Sequence, residues 1–247
     1  MDNFIFFSLI CIRPIILSDL VTDQYLTHYW PILNSTKSDI VGTAHMQQGM
    51  NTSFTSDRFG CPNSAMNLNG GFTYVPAGVY FDSPEFTISV WIYPQSVGSW
   101  SRVIDFANGA PLDNIVLSQD SGLNRIPYTT IRNGTIIMGT VSSSVSLALK
   151  QWQFLTSTYN GTSLIMYING VIKANLFFVF TLPTLNRTKN YIGKSNWNDS
   201  YSWSYLDDLR FYNRSLSQSE IIDLMNLNSK NYNFIKNMFY ISNKCII

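Results

Sequence analysis

"WQFLTSTYNGTSLIMYINGVI" (Trp152–Ile172) decides the fold class. Short runs rich in β-branched and aromatic residues meet at Asn160-Gly161 and again at Asn169-Gly170. Asn-Gly accepts the positive φ of a type I′ turn, whose twist matches that of paired strands. The stretch therefore predicts strands over Trp152–Tyr159, Ser163–Asn169 and Val171–Asn175. In the middle strand Leu164, Met166 and Ile168 fall on one face, and Ile165 and Tyr167 on the other. Apolar residues on both faces mark a central strand, covered on each side or lining a groove.

The same punctuation runs outward in both directions. "EFTISVWIYP" alternates Phe86, Ile88, Val90 and Ile92 against Trp91 and Tyr93. Further strands are predicted at His28–Leu33, Ala65–Asn69, Phe72–Pro76, Phe86–Tyr93, Arg102–Ala107, Asn114–Gln119, Ile126–Arg132, Thr135–Val141, Tyr191–Gly193 and Tyr205–Tyr212, with Asn133-Gly134 as another tight turn. One helix is signalled. Ser217 and Glu220 form a capping box, in which hydroxyl and carboxylate reciprocally satisfy free amides. Ile221, Leu224, Met225 and Leu227 then supply a short apolar stripe. Many short strands with turn signals between them predict an all-β, two-sheet antiparallel sandwich.

Composition narrows the function. The 247-residue chain is 45% hydrophobic and 15% aromatic, with 13% charged residues and a net charge of +1. That supports a sizeable core and argues against disorder. No Lys/Arg cluster tracks a phosphate backbone, so nucleic acid is not an expected partner. No stretch reaches the ~18–20 apolar residues of a membrane span. The first 18 residues contain an apolar run, Phe4–Ile12, of signal-peptide length. Asp2 and Arg13-Pro14 depart from that pattern, and the competing reading is an incomplete gene start of a larger extracellular or membrane-anchored protein. Sequons at Asn34, Asn51, Asn133, Asn160, Asn186, Asn198 and Asn213 favour a secreted glycoprotein. Of three cysteines, Cys11 would leave with a cleaved leader, and Cys61 and Cys245 would remain to pair. The spacing does not establish that they do.

The order of these pieces resembles the laminin G-like domains of the concanavalin A-like lectin/glucanase superfamily. The carrying motifs are "HYWPIL", "FGCPNSAMNLNGGFTYVP", "FTISVWIYP", "SRVIDFANG", the Trp152–Ile172 block, "NYIGKSN" and the closing "YLDDLRFYNRSLSQSEIIDL". The resemblance runs from about Tyr29 to Leu227, which suggests a domain over 27–227 followed by a tail over 228–247. It implies a jelly-roll sandwich, and also a calcium ion held between the first loop and the last strand. Asp39 stands where that loop aspartate would be, with Asp207 opposite. It implies no single function, because such folds serve lectins, adhesion modules and enzyme accessory domains.

The candidate site residues are of two kinds. As strand neighbours Asp207 and Asp208 point to opposite faces, which excludes a paired-carboxylate dyad and makes Asp207 a core-facing carboxylate needing a cation or hydrogen bonds. Asp105, Asn108 and Asp113 form a second possible calcium cluster, or simply turn residues. The other kind is aromatic. "GKSNWNDSYSWSYLDD" carries Trp197, Tyr201 and Trp203 in a polar loop, and Trp100 lies in another. Aromatic rings stack on sugar faces while amides and carboxylates fork to hydroxyls. These rings could equally plug the core. No enzyme signature accompanies them. The only glutamates, Glu85 and Glu220, fit no Glu-x-Asp-x-x-Glu pattern, and His28 and His45 lie in no nucleophile context. The expected function is a non-catalytic, extracellular glycan-binding module using rim loops, with or without calcium. The alternative is a structural or protein–protein adhesion domain.

Overall fold

The computed structural model describes residues 23–226 except 97, 123 and 124. The expected leader over 1–18, Cys11, Cys245, Leu227 and the expected tail over 228–247 lie outside these. Thirteen strands and one helix follow in chain order: β1 (Leu26–Trp30), β2 (Gln47–Thr55), β3 (Ala65–Val75), β4 (Phe86–Ser96), β5 (Arg102–Ala107), β6 (Ile115–Ser118), β7 (Tyr128–Asn133), β8 (Ile136–Ser142), β9 (Gln153–Tyr159), β10 (Ser163–Ile168), β11 (Val171–Phe177), β12 (Lys189–Ile192), β13 (Ser202–Tyr212) and α1 (Gln218–Met225). Hydrogen bonding connects them as β11-β10-β9-β4-β13-β3-β12-β5-β6-β7-β8, with β1 on β13 and β2 on β3. The path doubles back into a two-layer antiparallel jelly roll, and β8 returns against β10 and β11.

The layers meet through alternating side chains. Phe86, Ile88, Val90 and Ile92 of β4 and Leu164 and Met166 of β10 are fully buried, as the period-two pattern predicts. They share one core with Ile104, Phe106, Ile115, Leu117 and Ile131 from the other layer. The opposite face of the β4 layer is covered as well, where Trp91, Phe154 and Tyr167 pack with Ile221 of α1. Strong hydrophobic burial on both faces explains why these strands read as apolar twice over. The Asn169-Gly170 turn has positive φ at both residues, 52° and 73°, as type I′ requires.

Two expectations change. The segments Ala65–Asn69 and Phe72–Pro76 are one strand, β3, running through Gly70-Gly71. The strand β2 carried no signal because "QQGMNTSFT" is mostly polar and lies largely exposed at the edge of β3. Side-chain bonds from Thr73 to the Gln47 carbonyl and from Asn51 to the Gly70 carbonyl add to its backbone pairing, and Phe54 packs against the core.

The helix forms as its capping box dictates. The Glu220 amide donates to the Ser217 hydroxyl, and the Ser217 amide donates to the Glu220 carboxylate at 2.7 Å. The Arg214 guanidinium, 2.8 Å away, and the Ser217 donors hold the Glu220 carboxyl down at about 2. A depressed folded value means that its stabilisation is complete above the ordinary glutamate range and is lost as pH falls from about 4.5 toward 2. We expect the protection of the 218–222 backbone amides, exchange rates divided by their intrinsic values at each pH, to fall over that window in the wild type and to change little in Glu220→Gln.

Candidate functional site

Three strands of one layer turn an uncovered face outward and make the floor of a groove. In β6, Ile115 and Leu117 point inward and Val116 outward; in β7, Ile131 points inward and Tyr128, Thr130 and Arg132 outward. Thr140 and Ser142 continue the floor on β8. A bulge in β5 sets the next residue. Strict alternation from Ile104 and Phe106 would point Arg102 into the apolar core, but the register shifts between Arg102 and Ile104 and its side chain lines the groove instead.

Two loops raise the walls. Trp100 adopts a positive φ of 60°, with its amide donating to Asp120 at 3.3 Å and its ring edge-on to Tyr128 at 5.8 Å. Gly122 passes directly beneath this indole, and a Cβ there would lie 2.6 Å from it. The facing wall is Trp197, on the loop between β12 and β13. Asp105, fully buried on β5, anchors that loop. It accepts from the Asn196 amide at 2.8 Å and from the Asn114 side chain at 2.7 Å. Burial pushes the Asp105 carboxyl up, and those donors oppose the shift.

The groove closes around charge as well as rings. Arg102 donates to Asp199 at 3.0 Å and to the Trp100 carbonyl, tying the two walls together. The Trp197 ring lies 5.9 Å from the Arg102 guanidinium and 5.6 Å from that of Arg132. The enclosed volume is about 440 Å³, within the usual range for small-molecule sites. Chemically the groove offers two indoles and a phenol for stacking, hydroxyls from Thr130, Thr140 and Ser142, and fixed donors and an acceptor at its ends.

Of the four aromatic candidates, the fold brings Trp100 and Trp197 together and leaves two elsewhere. Tyr201 packs on Phe72 at 5.5 Å. Trp203, 43% exposed, covers Gly70 on the far side of the loop. The floor residues gave no signal in the sequence, since alternation along β7 and β8 does not say which outward face remains uncovered.

The acidic candidates have separate partners. Asp39 accepts from the amides of Tyr29, Val41, Gly42 and Ala44 and meets His28 Nδ1 at 2.6 Å. Burial raises its pKa, but the donors from His28, Tyr29 and Gly42 outweigh that and hold the carboxyl below the usual range. These neighbours are N–H donors, whereas calcium takes six to eight oxygens; the arrangement does not fit that ion. Asp113 accepts from Asn108 at 3.2 Å and the Gly134 amide at 2.6 Å, closing a turn. Among the described residues, no three His, Cys, Asp or Glu side chains are grouped to hold a metal.

Asp207 and Asp208 correct the strand reading. They do not point to opposite faces. Asp208 has a φ of +54° and the register shifts between Asp207 and Arg210, so a bulge brings both carboxylates to one guanidinium. Arg58 meets Asp207 at 2.7 Å and Asp208 at 2.8 Å, all three buried. Tyr29 donates to Asp208 at 2.5 Å, and Arg210 completes the cluster from 3.2 Å. The glutamates are structural too. Glu85 accepts from the Ser215 amide at 3.0 Å, and Glu220 caps the helix.

Comparison with solved structures places this architecture. Domain 4 of AbnA, an extracellular arabinanase from Geobacillus stearothermophilus solved with arabinotriose, superposes with a TM-score of 0.67 at 20% identity, covering 81% of this chain and 98% of that one. The binding domain of Paraclostridial Mosquitocidal Protein 1 gives 0.62 at 18% identity over 82% of this chain. A structure of botulinum neurotoxin type C, whose cell entry depends on two ganglioside molecules, gives 0.61 at 15% identity over 82%. The chain spans about half the length of these two toxin chains, 52% and 51% respectively. No curated protein matches the sequence. A family model described as the concanavalin A-like lectin/glucanases superfamily matches residues 69–222. The chain therefore belongs to the concanavalin A-like lectin/glucanase superfamily, in its laminin G branch.

Proposed function

We propose that this protein is a non-catalytic glycan-binding module and that its binding surface is the groove over β6, β7 and β8. The observation that carries the reading is the convergence of Trp100 and Trp197, from distant loops, over a hydroxyl-lined floor flanked by Arg102, Arg132 and Asp199. A sugar has apolar ring faces and polar edges, and this pairing of stacking surfaces with fixed polar groups is the complementary arrangement. The arabinotriose bound by the arabinanase domain and the gangliosides of the type C toxin support a carbohydrate ligand. Structural employment of both glutamates supports a role without hydrolysis. Six of the seven sequon asparagines are exposed, Asn213 being half-buried, which supports a secreted protein.

The test is a glycan array followed by calorimetry on the best ligands. Binding is expected to be equal in calcium and in EDTA, because the groove recognises its ligand with rings, guanidiniums and hydroxyls. A binding signal abolished by EDTA would move the site to the aspartate clusters. Folded protein that binds no glycan would favour the adhesion reading.

A further inference from the structure

We propose that the groove selects glycans bearing an anionic substituent, a carboxylate or a sulfate, and that Arg132 receives it. This inference rests on the glycan-binding reading above. The charged side chains lining the groove are Arg102, Arg132 and Asp199, two cations against one anion. The two arginines differ in what they have left to give. Arg102 is 4% exposed and already committed, to Asp199, the Trp100 carbonyl and the Ser118 hydroxyl. It ties the walls together.

Arg132 is half-buried at the end of β7, where a register shift after Ile131 sets its direction. It donates to the Thr135 carbonyl at 2.7 Å, and its guanidinium lies 5.6 Å from the Trp197 ring. Among the described residues no carboxylate lies within ion-pair distance of it, whereas Arg102 and Arg210 each hold one and Arg58 and Arg214 each hold two. A guanidinium carries five N–H donors, so several remain for a ligand. The contact with Trp197 holds the fork beside the surface on which a sugar would stack. A planar fork so oriented matches a carboxylate bidentately, and it also pairs with sulfate. Ring and anion of one acidic sugar residue could then be met together.

The experiment compares matched oligosaccharides: a neutral parent, its carboxylated form, the methyl ester of that form, and a sulfated form. Each is titrated into wild type, Arg132→Gln and Arg132→Lys, with thermal melting as the check on folding. The acid is expected to bind about tenfold tighter than its ester, as one charge-assisted hydrogen bond provides. Arg132→Gln is expected to bring that ratio to within about twofold, and Arg132→Lys to keep part of it, since the charge stays while the fork is lost. A preference confined to the sulfated form would identify the anion as sulfate and uphold the inference. Equal binding of the acid, the ester, the sulfated form and the neutral parent by wild type would overturn the inference and leave the groove reading standing. A ratio that survives Arg132→Gln would remove Arg132 from the role. Folded wild type that binds none of the four would sink the groove reading itself.

Discussion

Arg58→Ala is expected to lower the unfolding free energy by about 3–5 kcal/mol, the usual consequence of removing one partner of a buried ion pair. Two fully buried carboxylates, Asp207 and Asp208, face this one guanidinium at 2.7 and 2.8 Å. Without it, both carboxylates lose the guanidinium they face, and Asp208 keeps Arg210 and the Tyr29 hydroxyl. The Arg58 plane also lies over Trp91 and Phe59, at 4.7 and 4.4 Å, so packing is lost along with charge. For a domain of this size the melting temperature should fall by roughly 10 °C. The charge component can be isolated with Arg58→Met, alone and combined with Asp207→Asn and Asp208→Asn. The combination should recover much of the stability lost by Arg58→Met alone, because it removes the two buried negative charges that Arg58 faces. If Arg58→Ala melts within about 2 °C of wild type, the cluster does not hold the 56–61 loop to the sheet.

Trp197→Ala is expected to weaken glycan binding about 30-fold or more, the loss typical of a central tryptophan at a binding surface. The indole supplies one wall of the groove, with the guanidiniums of Arg102 and Arg132 5.9 and 5.6 Å from its ring. Trp100→Ala removes the facing wall, and the double variant should show no measurable binding. Trp203 provides the comparison. It is on the same stretch of chain and exposed, yet covers Gly70 outside the groove. Trp203→Ala should change affinity less than twofold. A loss at Trp203 as large as that at Trp197 would place the ligand on the loop's other side. Far-ultraviolet circular dichroism and melting curves on each variant separate loss of the site from loss of the fold.

The sequence by itself determined the sandwich. Phe86, Ile88, Val90 and Ile92 recur with period two, Asn-Gly pairs mark the turns, and Ser217 and Glu220 announce the helix; each is a local signal, read over a few residues. It also marked four loop aromatics, Trp100, Trp197, Tyr201 and Trp203, without telling them apart. Only the tertiary structure decided which aromatics line one groove, because Trp100 and Trp197 come to it through a bulge at Arg102 and an anchor at Asp105 that alternation alone does not reveal. The same holds for Asp207 and Asp208. Period two assigned them to opposite faces, and one residue of positive φ reversed that. A bulge is chosen by the partners that reward it, here Arg58 from a distant loop, and such long-range terms leave no trace in the local pattern. The floor of the groove was invisible for a related reason. Thr130, Arg132 and Thr140 alternate like any outward-facing strand residues, and whether such a face is covered depends on where the rest of the chain comes to lie.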